Sequence, residues 1–108
     1  KMNVYSSDLY INSDINIRLK PFKNITTAEV SSNLTALSVT LTHMTNPALT
    51  VTFSKANGHI VVVNNIIYLI INTGQITTAG FYNVTCTFTN AHGFTSTVNL
   101  DPKRLRFI

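Results

Sequence analysis

Four carboxylates make up the acidic inventory of this chain: Asp8, Asp14, Glu29 and Asp101. Acid–base catalysis by carboxylates needs a pair whose surroundings drive their pKa values apart, and no two of these share a recognisable paired motif. The histidines His43, His59 and His92 are far apart, and His59 and His92 adjoin turn glycines. That pattern places histidines at turns on the surface rather than around a metal ion. Cys86 is the single cysteine, which excludes an internal disulfide and a multi-cysteine zinc site. It falls in phase with apolar neighbours, where a thiol behaves as a small hydrophobe and not as an activated nucleophile. No glycine-rich phosphate loop and no nucleophile elbow occur. The expectation is a non-enzymatic chain with no catalytic, cofactor-binding or metal-binding residues.

Binding chemistry has more candidates. Two basic clusters, Arg18, Lys20 and Lys23, then Lys103, Arg104 and Arg106, account for most of the net charge of +4. They lack the interleaved aromatics of single-strand nucleic-acid binders, so they read as solvated strand faces or as charges guarding a sheet edge. Tyr5, Tyr10, Tyr68 and Phe94 are the aromatics available for an exposed binding face, and Trp, the best sugar-stacking residue, is absent. Three N-x-[ST] triplets begin at Asn24, Asn33 and Asn83. In a chain with 16 Thr and 13 Asn such triplets arise by composition alone.

The elements that must carry these residues are strands. Ile, Val and Thr contribute 36 of the 108 residues, and β-branched side chains fit a pleated surface better than a helix. Apolar and polar residues alternate in four runs. The apolar sets are Ile15, Ile17 and Leu19; Leu37, Val39 and Leu41; Leu49, Val51 and Phe53; and Tyr82, Val84, Cys86 and Phe88. Each predicts a half-buried antiparallel strand with one face inward and a Thr-rich face outward. Asn57-Gly58 supplies the positive φ of a tight hairpin, and Asn64-Asn65 separates two apolar runs in the same manner. Thr73-Gly74 and Ala79-Gly80 punctuate the chain further on. Asn90-Ala91-His92-Gly93 predicts a hairpin leading into a strand over 94–100. Pro102 then predicts a break before a last short strand over 104–107. Residues 21–36 have no clear period and read as a long loop, with one helical turn near 27–32 as the alternative.

Only 11% of residues are charged, against about 25% in ordinary globular domains, so neutral Thr and Asn must supply the polar surface. The length fits one domain over 1–108, large enough to bury a core without metal or disulfide staples. The longest apolar stretch, 59–71, is interrupted at Asn64-Asn65 and is too short for a membrane span. With no leader in evidence and no disulfide, the chain reads as a soluble protein of a reducing cell. Lys1 ahead of Met2 reads as a residue left by an expression vector.

Strands at regular spacing with turns between them predict an all-β, immunoglobulin-like antiparallel sandwich of about seven to nine strands. Gly80 then supplies a bend and Tyr82 reaches back to the corner before it. The Cys and Trp landmarks of antibody domains are missing.

The order of features resembles the small immunoglobulin-like domains of bacteriophage virion proteins, of the upper-baseplate N-terminal, fibre-attachment and capsid-decoration types. The resemblance rests on a short opening strand (Asp8-Leu9-Tyr10-Ile11), the alternating strand from Ile15 to Leu19, a variable loop, Gly80-Phe81-Tyr82 and the turn at His92-Gly93. It covers most of the chain and transfers no functional residue. It implies a structural or attachment component of a virion, assembled in the host cytoplasm. Such a component docks other virion proteins through a sheet face or edge, as part of a homo-oligomer, without nucleic acid or membrane. The terminal segments 2–10 and 103–108 are the expected places for strand addition. The alternative is a cell-surface adhesin or carbohydrate-binding module recognising a glycan.

Overall fold

The computed structural model describes residues 9–21, 36–63, 66–89 and 95–108. Seven strands follow in chain order: β1 (Ile15–Pro21), β2 (Ala36–His43), β3 (Thr50–Ser54), β4 (Ile60–Val63), β5 (Ile66–Ile71), β6 (Gly80–Thr89) and β7 (Thr95–Phe107). An isolated parallel bridge, Leu9 to Phe107, adds an eighth hydrogen-bonded segment. The strand order is β3-β2-β6-β7-β1-β5-β4. The β7–β1 link is only a two-pair seam, Lys20 opposite Asp101 and Pro21 opposite Leu100. At that seam the sheet folds over into two layers, β3-β2-β6-β7 and β1-β5-β4. This arrangement of antiparallel strands is that of an immunoglobulin-like sandwich.

Alternation decides which side chains fill the space between the layers. Ile17 and Leu19 from β1, and Ile67, Leu69 and Ile71 from β5, meet Leu37, Val39, Leu41, Val84, Cys86 and Phe88 from β2 and β6 in one continuous core. Full burial of a Leu, Ile or Val side chain contributes about 1.5–3 kcal/mol. Cys86 is wholly inside, as its phase predicts.

One end of the sandwich is held by a polar corner. Tyr82 donates its phenolic hydrogen to the Thr78 carbonyl at 2.6 Å, the reach-back that the sequence predicts. Beside it lies His43, the one buried polar residue among those described. Its Nδ1 accepts from the amides of Thr45 and Asn46, both at 3.1 Å. Nε2 therefore carries the hydrogen and donates it to the Ala79 carbonyl at 2.9 Å. The rings of His43 and Tyr82 meet edge-on at 4.9 Å, and Tyr82 meets Phe107 likewise at 5.3 Å. Gly80 makes this closeness possible. It has φ +135°, and a Cβ built there would lie 2.5 Å from His43 Nε2.

Four expectations are corrected. Asn57-Gly58 does form a turn, with the Gly58 amide on the Lys55 carbonyl at 3.1 Å and φ +83° at Gly58, but it does not close a hairpin. β4 pairs with β5 and not with β3, because Phe53 and Ile60 both point into the core from opposite layers. Pro102 does not break the last strand. β7 runs through it, and the β6–β7 register shifts between Asn83 and Thr85, so the missing amide falls in a bulge where no ladder bond is needed. His43 is inside the fold and not at a surface turn. The end of β7 is not a free edge, while residues 2–8 of the first terminal segment lie outside the described residues. The Leu9 amide bonds the Arg106 carbonyl at 3.1 Å, Ile11 bonds Ile108 at 3.0 Å, and the Ile108 amide returns to Leu9 at 2.7 Å. β4 and β5 pair with Val63 opposite Ile66; Asn64 and Asn65 themselves lie outside the described residues.

Gly80→Val is expected to destabilise the protein by more than about 2 kcal/mol, since positive-φ strain and overlap with His43 act together. Thermal denaturation followed by circular dichroism should show a midpoint lower by ~10 °C or more; an unchanged midpoint would contradict the corner.

Candidate functional site

The two outer faces of the sandwich differ in chemistry. On the β3-β2-β6-β7 layer the outward positions are hydroxyl-bearing. Thr52 stands beside Thr40 and Thr40 beside Thr85, while Ser38 stands beside Thr87 and Thr87 beside Thr97. Cross-strand pairs bond one another: Thr40 to Thr52 at 3.2 Å, Thr87 to Thr97 and Thr89 to Thr95 at 3.0 Å. Such pairs are the neutral equivalent of cross-strand ion pairs. At the corner end this face turns apolar. Phe81 is 50% exposed, the Arg106 guanidinium lies 5.8 Å from its ring centroid, and exposed Met44 is joined to it through the Phe81 carbonyl.

The outer face of the β1-β5-β4 layer is apolar over two of its three strands. In β5 the buried set is Ile67, Leu69 and Ile71, so Ile66, Tyr68 and Ile70 point outward and are half-buried. Val61 and Val63 point the same way from β4 and are 44% and 48% exposed. Cross-strand pairing sets Val61 beside Tyr68 and Tyr68 beside Arg18, and Val63 beside Ile66. The band is bordered on β1 by the exposed Asn16, Arg18 and Lys20.

Among the described residues no three His, Cys, Asp or Glu side chains converge in a metal-binding arrangement. Asp14 accepts from the Thr73 amide at 2.8 Å and its hydroxyl at 3.0 Å, and these bonds hold its carboxyl below the ordinary value. It fastens the β5–β6 connection to the start of β1. His59 is half-buried, with Nδ1 on the Ile70 carbonyl at 2.9 Å and its ring edge-on to Phe53 at 5.6 Å. Burial pushes the Tyr82 phenol upward, which keeps it protonated for its corner bond.

No protein-family model, curated protein or solved structure matches this chain. The site must therefore be read from its own residues.

The basic clusters occupy different layers. Arg18 and Lys20 point out from β1, while Lys103, Arg104 and Arg106 are exposed on β7; Lys23 lies outside the described residues, as do His92, Asp8, Glu29, Asn24 and Asn33. The charges are thus not gathered into one strip. Of the candidate aromatics, Tyr68 sits in the apolar band and Tyr10 is 64% exposed, while Tyr5 and Phe94 lie outside the described residues. Asn83 is exposed on β6. Phe81 was not among the candidates, although it alternates out of phase with Tyr82, Val84, Cys86 and Phe88.

Cys86 is fully buried and burial pushes its thiol up to about 12, so at neutral pH it is held as the unreactive thiol. Iodoacetamide at pH 8 is expected to leave the native protein unlabelled and to label it fully in denaturant, as intact-mass measurement would show. Rapid labelling of the native protein would contradict the packing of β6.

Proposed function

We propose that this chain is a non-enzymatic attachment domain that works through protein–protein contacts, with a bacteriophage virion as its setting. The observation that carries the binding reading is the apolar band formed by Val61, Val63, Ile66, Tyr68 and Ile70 on the outside of the β1-β5-β4 layer. Large contiguous apolar patches on a protein surface mark interaction sites. This band combines a Tyr anchor with β-branched side chains, and Arg18 stands directly beside the Tyr. Tyr and Arg are enriched among residues that carry interface energy. The virion setting is supported by the likeness of feature order to phage immunoglobulin-like modules and by the Asn, Ile and Thr richness of the chain.

A glycan-binding reading has one feature in its favour, the half-exposed Phe81 at the end of a hydroxyl field. The apolar band weighs against it, since sugars offer few groups to cover five aliphatic and aromatic side chains.

The test is a photocrosslinker, p-benzoylphenylalanine, placed at Tyr68 in cells that assemble the native particle. The expected result is one discrete adduct with a structural protein of that particle. No protein adduct, together with selective binding on a glycan array, would overturn the attachment reading in favour of an adhesin.

A further inference from the structure

We propose that β4 is the pairing edge of a symmetric homodimer, in which two copies join β4 to β4 antiparallel across a two-fold axis. The two β1-β5-β4 layers then merge into one six-stranded sheet. This rests on the reading that the chain works through protein contacts, and it names a second copy as the first partner. The Ile70 amide bonds the His59 carbonyl at 2.8 Å. Alternation in an antiparallel ladder then aims the main-chain groups of Val61 and Val63 at β5, and those of Ile60 and Val62 away from it. Among the described residues no strand lies on that outer side of β4.

Natural edge strands are commonly guarded by Lys, Pro, a bulge or an inward charge. The sequence of β4, Ile-Val-Val-Val, has none of these. The other edge of the fold is treated differently. β3 ends at Ser54, whose hydroxyl accepts the Asn57 amide at 3.2 Å and whose carbonyl accepts the His59 amide at 3.3 Å. That end of β3 is closed by the turn that follows it.

A second copy suits the open edge of β4. Two-fold pairing sets β-branched side chains against β-branched side chains, a favourable cross-strand combination. Among the described residues it brings no charge of this layer to the seam, because Arg18 and Lys20 stand on β1 beyond β5. In the dimer the two β1 strands are five strand spacings apart, about 24 Å, well beyond the screening length of ~10 Å at 0.1 M salt. Pairing also joins two apolar bands into one. A ladder this short buries less than the ~1,600 Å² of a standard interface, so the dimer is reversible. It gains occupancy where an assembly raises the effective concentration of its subunits.

Light scattering on the full chain, over a dilution series reaching millimolar protein, tests this. The expected result is a concentration-dependent dimer. Val62→Pro deletes an outward amide without touching the β5 ladder or the outward side chains, and should give a monomer that retains cooperative melting. Val61→Lys with Val63→Lys charges the seam by a separate route and should also give a monomer. A wild type that stays monomeric at millimolar concentration, open-ended oligomers, or a dimer that survives in both variants would overturn the proposal. If the wild type is monomeric while Tyr68 still crosslinks to a particle protein, self-pairing fails and the attachment reading stands.

Discussion

The fold depends on the contact between His43 and the bare backbone at Gly80. A side chain at position 80 would occupy the space of the imidazole, and without the imidazole three main-chain groups at one end of the sandwich lose their partner. The Ala79 carbonyl belongs to the approach to β6, and the Thr45 and Asn46 amides belong to the exit from β2. One neutral ring thus ties the end of β2 to the start of β6, the two central strands of the larger layer. Tyr82 packs against that ring and against Phe107, which extends the same fastening to the end of β7. Hydrogen bonds of this kind contribute about 0.5–1.5 kcal/mol each, so three together are a large share of the 5–15 kcal/mol by which domains are ordinarily stable.

Once the layers are fixed, the alternation of side chains determines what each presents. The larger layer turns out Thr and Ser, which bond across strands, with exposed Arg104 and Arg106 opposite Asn83 and Phe81 at its corner end. The smaller layer turns out Val, Ile and Tyr from β4 and β5, and among the described residues no strand pairs with the outer side of β4. The contrast gives the domain two sides of different chemistry, one hydroxyl-rich and one apolar.

Much of this was legible in the sequence because period-two alternation is a local property. The inward sets of β1, β2 and β6 follow directly from it, as do the burial of Cys86 and the reach of Tyr82. Other features depended on information that alternation does not hold. His43 continues the phase of Leu37, Val39 and Leu41, so its burial was readable; its distance in sequence from the glycine it packs against hid the reason. Asn57-Gly58 is a genuine turn, yet a turn does not say whether the next strand pairs back or crosses to the other layer. Pro102 suggested a break because the bulge that accommodates it is a property of β6 and β7 together. The apolar band was hidden because Ile66 to Ile71 is apolar at every position, so nothing in the period distinguishes core from surface there.

A double-mutant cycle between His43→Ala and Gly80→Ala tests the corner most directly. Stability of the wild type, both single variants and the double variant would be measured by urea denaturation monitored by circular dichroism. Removing the imidazole vacates the space into which the new Cβ projects, so Gly80→Ala should cost less in the His43→Ala background. The expected coupling is about 1 kcal/mol or more. Additive effects of the two substitutions would show that Gly80 serves only its own backbone conformation, and that the histidine and the glycine do not form the single fastening described above.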